Sequence, residues 1–176
     1  MGELRARSVL VTGANRGIGL GFVQHFLKMP NPPQWIFATC RDPKGQRAQP
    51  LLKKAAQGSP GSGLSCSKAA IANISSIGGS ITFPFGWEMV HATSYRCSKA
   101  ALNMLTKCQS LGYREPGILC IALHPGWVQT DLGAAAGQTP PLTVDESVQG
   151  MLKVLSSISE KDTGTFLDWE GKVIPW

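Results

Sequence analysis

The chain reads SVLVTGANRGIG over residues 8–19, and this stretch decides the fold. Its first five residues form a short apolar run, which is typical of a buried strand in a parallel sheet. A helix is predicted directly after the glycines, because apolar residues recur at helical spacing from Ile18 to Met29 and prolines follow. A second strand is predicted over residues 34–39. The first 40 residues therefore form one βαβ unit, for which a right-handed crossover is expected.

The rest of the chain continues this alternation. Further strands are predicted over residues 70–75, 118–123 and 165–169, with helices over residues 95–111 and 143–158. The last helix opens on Thr143 and Glu146, which have the spacing of a capping box. The predicted fold class is α/β, a Rossmann-type doubly wound and mostly parallel sheet, within one domain over residues 1–176. Residues 43–69 form an abnormally short connection, with a proline and a Gly/Ser-rich run.

Composition narrows the classes of function. The 176 residues are 43% hydrophobic and 16% charged, which is typical of a globular domain. No apolar run approaches membrane-spanning length and the first residues lack a secretory signal, so a cytoplasmic location is expected. The five cysteines form no CxxC pair, and we expect no metal site.

The net charge of +6 is concentrated in the first two thirds of the chain. No run of Lys and Arg exceeds two residues, and no aromatic residues alternate with basic ones. A nucleic-acid partner is therefore not expected. Phosphate groups of a cofactor, or plain solvation, explain the excess charge better.

Four segments carry residues suited to chemistry. Gly13, Gly17 and Gly19 lie between the first strand and the first helix, where glycines let a diphosphate approach main-chain N–H groups at the positive end of a helix. A tight turn without any ligand is the alternative for this segment. Tyr95 and Lys99 share one helix face at i and i+4, where an ammonium favours phenolate and so aids proton transfer. An ordinary pair on a helix surface is the alternative there.

The third and fourth segments each follow a strand. Ser75 and Ser76 stand at the carboxyl end of the strand over residues 70–75, where open parallel sheets bind ligands, although serines at this position also form turns. The fourth segment, His124-Pro125-Gly126-Trp127-Val128-Gln129-Thr130, follows the next strand, and its Pro-Gly turn is either a plain turn or part of the same site.

The order and spacing of all four segments resemble the short-chain dehydrogenase/reductase family, and within it the C-factor-like or sniffer-like carbonyl reductases. The resemblance implies an NADP(H)-dependent oxidoreductase that acts on small carbonyl or alcohol substrates by hydride transfer. It implies that Tyr95 is the proton donor, that Lys99 supports it, and that Ser76, with Ser75 as the fallback, orients the substrate oxygen. It places the cofactor against Gly13, Asn15, Arg16, Gly17, Ile18, Gly19, Arg41, Tyr95, Lys99, Pro125, Gly126, Val128 and Thr130.

Two of these residues select the cofactor. Arg16 and Arg41 match the family's pattern for NADPH, because their charge suits a 2′-phosphate. Asp42 leaves NAD open, since an acidic residue at this strand end suits the free ribose hydroxyls.

The middle of the family's sheet is missing from this chain. Two strands and their helices are absent between residues 42 and 69, as an internal excision would leave them, and the family's strand order 3-2-1-4-5-6-7 reduces to 2-1-5-6-7. If the first strand pairs with the serine strand, the glycine turn is displaced by one strand spacing, ~4.8 Å. If the two strands stay apart, apolar edges remain open and association is expected.

Either arrangement impairs catalysis, so the alternative is a catalytically inactive isoform that only binds cofactor or another subunit. A homodimer is in doubt, because one helix that forms the family's dimers is largely missing.

Overall fold

The computed structural model describes residues 4–39, 64–66, 68–88, 91–135 and 137–176. In chain order the elements are β1 (Ser8–Thr12), α1 (Gly17–Lys28), β2 (Trp35–Thr39), β3 (Ala70–Ile74), a 3-10 turn (Ile77–Gly79), α2 (Thr93–Gly112), β4 (Leu119–His124), α3 (Asp131–Ala134), α4 (Val144–Ser157), a second 3-10 turn (Glu160–Asp162) and β5 (Phe166–Asp168). Each predicted strand and helix lies within two residues of these bounds. The short helix α3 and the two 3-10 turns were not predicted.

The strands form two parallel sheets. β1 pairs with β2, while β3, β4 and β5 form the second sheet in that order. The predicted α/β fold with parallel strands is therefore confirmed. Among the described residues β1 and β3 do not pair, so of the two arrangements expected for the shortened sheet the structure has the one in which the strands stay apart. The short connection predicted over residues 43–69 lies largely outside the described residues.

One hydrophobic cluster joins the two sheets. Leu119, Ile121 and Leu123 of β4 are fully buried in this cluster together with residues of α1 and α4, and Val9 and Val11 of β1 pack against it. The alternate residues of β4, which include Cys120 and Ala122, are also fully buried, within two smaller clusters. β4 is thus covered on both faces, as the central strand of a doubly wound sheet is.

A close approach between α1 and α4 holds the β1–α1–β2 unit to the second sheet. A Cβ atom at Gly21 of α1 would lie 2.7 Å from Val144 Cγ1 and 3.1 Å from Val148 Cγ2. Only glycine fits at this contact. Nearby, His25 Nε2 lies 2.7 Å from Asp145 Oδ1, a second link between the two helices.

The capping box predicted for the last long helix is confirmed. Thr143 Oγ1 accepts a hydrogen bond from the Glu146 N–H, and the Glu146 carboxylate accepts one from the Thr143 N–H. This fixes the first turn of α4 beside the segment that follows β4. None of the helices among the described residues is long and apolar enough to cross a membrane.

Candidate functional site

The glycine turn after β1 folds back tightly on itself. Gly13 and Gly17 have positive φ angles of 65° and 53°, which favour glycine. A Cβ at Gly19 would overlap the carbonyl oxygen of Gly13, whereas a Cβ at Gly13 would meet no atom within 4 Å. The turn is therefore closed on its inner side and open above Gly13.

The turn leaves the positive end of α1 uncovered. Arg16 is the N-cap residue, its side chain makes no capping hydrogen bond, and the first turn holds no acidic residue. α4, by contrast, begins with a full capping box and two acidic residues. The free N–H groups and the dipole of α1 fit an anion, and the open space above Gly13 fits the diphosphate of a dinucleotide.

The other predicted residues of this turn differ in exposure. Asn15 and Arg16 are exposed, so their side chains can reach a ligand. Ile18 is half-buried and packs its side chain against the main hydrophobic cluster, which leaves only its backbone for a cofactor. Arg41 lies outside the described residues.

The segment that follows β4 lies directly against the glycine turn. A Cβ at Gly17 would lie 3.4 Å from Thr130 Cγ2, and Arg16 Nη1 lies 2.9 Å from the carboxylate oxygen Oδ2 of Asp131. Thr130 itself caps α3, since its Oγ1 accepts a hydrogen bond from the Gly133 N–H at 3.1 Å. The first and fourth segments singled out in the sequence therefore meet at one place.

Internal bonds shape the rest of that segment. The Pro125 carbonyl accepts a bond of 2.6 Å from the Ser147 hydroxyl of α4. Gly126 has a φ of 82°, and a Cβ there would overlap Leu142. Val128 is buried, so its side chain packs inward. Pro125, Gly126 and Val128 thus set the path of the backbone toward Thr130.

Lys99 is anchored at the carboxyl end of β3. Its Nζ donates a hydrogen bond of 2.9 Å to the carbonyl of Ile74 and lies 5.7 Å from the centroid of the Tyr95 ring. Burial lowers the pKa of the Lys99 ammonium from its ordinary value. Lys99 of the predicted pair therefore points toward the strand end that carries the two serines, and the Tyr95 ring lies beside its ammonium.

The two serines have different surroundings. Ser75 is 2% exposed, and its hydroxyl donates a bond of 2.5 Å to Asn103 Oδ1. Ser76 is half-buried and starts the 3-10 turn, where its Oγ accepts from the Gly78 N–H at 3.1 Å. Because that bond uses an oxygen lone pair, the Ser76 hydroxyl proton remains available for donation. The Ser75 hydroxyl is already committed inside the protein.

A polar network that the sequence did not reveal joins β3 and α2. Asn103 accepts from Ser75 and donates from Nδ2 to the Gly79 carbonyl at 3.1 Å. One turn further along α2, Asn73 Nδ2 donates to both Thr106 Oγ1 and Gln109 Oε1 at 2.8 Å. These bonds fix the register of α2 against β3. The signal was present, since Asn103 follows Lys99 by four residues and so shares its helix face.

His124, the first residue of the fourth segment, has no motif of its own in the sequence. It ends β4 beside Asp168 of β5, and its Nδ1 is a buried polar atom without a hydrogen-bond partner in the described part of the chain. Burial lowers the pKa of His124 to about 4, although the charge of Asp168 acts in the opposite direction. The imidazole is therefore neutral at neutral pH.

An aromatic loop precedes α2. Residues 84–88 line an open, mainly apolar cavity of about 620 Å³. The Arg96 guanidinium lies 5.4 Å from the centroid of the Trp87 ring and donates to the Phe85 carbonyl at 3.0 Å. The loop is thereby tied to the first turn of the helix that carries Tyr95. Among the described residues, no group of three or more His, Cys, Asp or Glu side chains could hold a metal ion.

Comparison with known proteins identifies relatives for this arrangement. The sequence profile of the short chain dehydrogenase family matches residues 63–141. The C-signal protein of Myxococcus xanthus is 44% identical over 85 residues, which cover 48% of this chain and 49% of that protein. The chain spans about half, or less, of the length of the curated relatives it matches.

Solved structures extend the similarity to the whole chain. An NADPH-bound carbonyl reductase from chicken fatty liver is 50% identical, with a TM-score of 0.91, over 100% of this chain and 96% of that one. The carbonyl reductase Sniffer of Drosophila melanogaster is 27% identical, with a TM-score of 0.82, over 98% of this chain and 100% of that one.

Proposed function

Because this chain belongs to the short-chain dehydrogenase/reductase family, we propose that it is an NADP(H)-dependent oxidoreductase of small carbonyl or alcohol substrates. The family predicted from the four sequence segments is confirmed. The finer assignment rests on the placement of Lys99, which is held at the end of β3 between Tyr95 and the two serines. This anchored ammonium is the observation that carries the proposal.

NADP(H) is the cofactor that the residues fit best. The uncapped start of α1 and the open space above Gly13 suit the diphosphate, and the exposed guanidinium of Arg16 suits a 2′-phosphate. The chicken carbonyl reductase, which is similar over the whole chain, binds NADPH. When bound, NADPH supplies the hydride that reduces a carbonyl carbon. Pro125, Gly126, Val128 and Thr130 flank its nicotinamide in this proposal.

The chain's own residues transfer the proton that accompanies the hydride. Tyr95 donates its phenolic proton to the carbonyl oxygen of the substrate, or accepts the hydroxyl proton in the reverse direction. Lys99 stabilises the resulting phenolate by its charge. Ser76 donates a hydrogen bond to the substrate oxygen and so orients it, while its proton stays on the serine. Ser75 is less suited to this role, because its hydroxyl is buried and bonded to Asn103.

The separation of β1 from β3 predicts low activity. Hydride transfer requires reacting atoms within ~3–3.5 Å in the right orientation, and a sheet without continuous pairing holds the cofactor half less firmly against the catalytic half. The same separation favours a second candidate function, an inactive isoform that only binds cofactor or another subunit. The active reductase and an inactive isoform that binds cofactor differ in turnover, although both bind the cofactor.

Thermal unfolding with and without cofactor tests the proposal. A ligand that binds only the folded chain raises its stability, so millimolar NADPH is expected to raise Tm, and NADH to raise it less. Tyr95→Phe is the matched variant, since it keeps the ring beside Lys99 and removes only the hydroxyl.

Tyr95→Phe should retain the NADPH-dependent increase in Tm and lose turnover of an aldehyde or quinone. Turnover that survives in Tyr95→Phe would contradict the catalytic assignment. The absence of any NADPH effect on Tm would contradict the cofactor assignment. Binding without turnover in the unsubstituted chain would favour the inactive isoform.

A further inference from the structure

An ion pair spans the mouth of the proposed cofactor site. Arg16, the N-cap residue of α1, and Asp131, the first residue of α3, approach within 2.9 Å. Their side chains are 73% and 85% exposed, so solutes reach both. The Thr130 side chain lies beside Gly17, where an added Cβ would come within 3.4 Å of Thr130 Cγ2, so the two segments run close together at this point.

We propose that Asp131 is a selectivity-determining residue that competes with the 2′-phosphate of the cofactor for Arg16. This inference rests on the proposed function, because it takes the glycine turn as the cofactor site. Asp131 thereby lowers the affinity of the site for 2′-phosphorylated dinucleotides.

The competition follows from the chemistry of a guanidinium. Arginine presents its donors in a rigid planar fork that binds carboxylate and phosphate in the same way, so one anion excludes another from the same edge. A phosphate that binds Arg16 through Nη1 must therefore displace the Asp131 carboxylate from that nitrogen. The displaced carboxylate then remains nearby as a like charge and opposes the phosphate.

The effect is specific to one dinucleotide. NADH carries free ribose hydroxyls where NADPH carries the 2′-phosphate, so it gains nothing from the release of Arg16. Asp131 therefore shifts the preference between the two dinucleotides, and its removal increases selectivity for NADPH.

Asp145 provides a matched control. It also carries one exposed carboxylate on a downstream helix and contacts α1, since its Oδ1 lies 2.7 Å from His25 Nε2. Asp131→Asn and Asp145→Asn change the charge of one carboxylate each, at a side chain that contacts the glycine turn or α1. Only Asp131→Asn frees Arg16.

Dissociation constants for NADPH and NADH are measured by fluorescence titration of the full chain with Asp131→Asn, Asp145→Asn, Arg16→Gln and the double variant Arg16→Gln/Asp131→Asn. Asp131→Asn is expected to tighten NADPH binding roughly two- to fivefold, the range that exposed ion pairs contribute. NADH binding, and NADPH binding to Asp145→Asn, should stay unchanged. The double variant should bind NADPH no more tightly than Arg16→Gln alone.

An equal change in Asp131→Asn and Asp145→Asn would overturn the inference, as would weaker NADPH binding by Asp131→Asn. If the unsubstituted chain binds NADPH and Asp131→Asn leaves its affinity unaltered, this inference fails while the proposed function stands. If the unsubstituted chain does not bind NADPH at millimolar concentration, both fail.

Discussion

β4 and β1 are both short apolar strands, but they are buried to very different extents. The five residues from Leu119 to Leu123 are each 0% exposed. In β1 burial alternates, and Leu10 is 45% exposed beside Phe37 of β2, which is 52% exposed. The two sheets share one cluster of hydrophobic residues, yet only the three-stranded sheet is covered on both faces.

The difference shows what the break in pairing between β1 and β3 removes. Val9 and Val11 face the shared cluster, so one side of the β1–β2 sheet is packed. The opposite side presents Leu10, Trp35 and Phe37 to solvent. Such apolar residues are usual for a strand that is covered on both faces. The sequence of β1 therefore suits a more complete sheet than the one it occupies.

The largest expected effect compares leucines in the two sheets. Leu119→Ala in β4 should reduce the free energy of unfolding by about 3–4 kcal/mol, because it leaves a cavity in a fully buried strand. Leu10→Ala in β1 should cost less than about 1 kcal/mol, since that side chain is nearly half exposed. Urea denaturation measures both. Equal losses would show that the exposed face of β1 is covered in solution.

A smaller effect concerns acid stability of the three-stranded sheet. The pKa of His124 is lowered by burial from 6.5 to about 4, so between these values the unfolded chain binds more protons than the folded one. The free energy of unfolding therefore decreases by at most about 3 kcal/mol as the pH falls from 6.5 to about 4.

Urea denaturation between pH 4 and pH 7.5 measures this loss. His124→Gln should flatten the acid side of the profile, while His91→Gln, which removes an exposed imidazole, should keep it. A profile that His124→Gln leaves unchanged would assign the acid sensitivity to other groups.

The smallest expected effect concerns the bare face of the β1–β2 sheet. Exposed apolar sheet surface promotes association. Phe37→Thr keeps a residue type that favours strands. It weakens any contact through this face by roughly 2 kcal/mol, because the phenyl ring no longer contributes apolar area to it. Sedimentation velocity should show weaker self-association, whereas Ile81→Thr, which removes an exposed apolar side chain outside this sheet, should have little effect. The same association in both variants would locate the contact elsewhere.

Much of the fold could be predicted because its signals are local. The apolar run that ends at Thr12, the glycines after it and the capping box at Thr143 each act within a few residues. Such patterns fix where strands and helices begin and end. A change in the sheet between β1 and β3 was expected because the chain is shorter than its family. The sequence did not show whether the two strands pair or stay apart.

The candidate site was predictable in the same uneven way. The spacing of Tyr95 and Lys99 predicted a shared helix face. The burial of Ser75, the bonds of Asn103 and the unpartnered Nδ1 of His124 depend on which strand lies beside which helix. No sequence spacing encodes such contacts, because they join residues that are far apart in the chain.

The sequence by itself determined the parallel α/β elements, the glycine turn and the helix that carries Tyr95 and Lys99, because hydrophobic periodicity, glycine geometry and capping act over a few residues. Only the tertiary structure decided that the sheet divides between β1 and β3, that Arg16 meets Asp131, and that Lys99 binds the Ile74 carbonyl. These outcomes depend on the packing of distant segments, in which burial and hydrogen bonding across the whole chain select one arrangement.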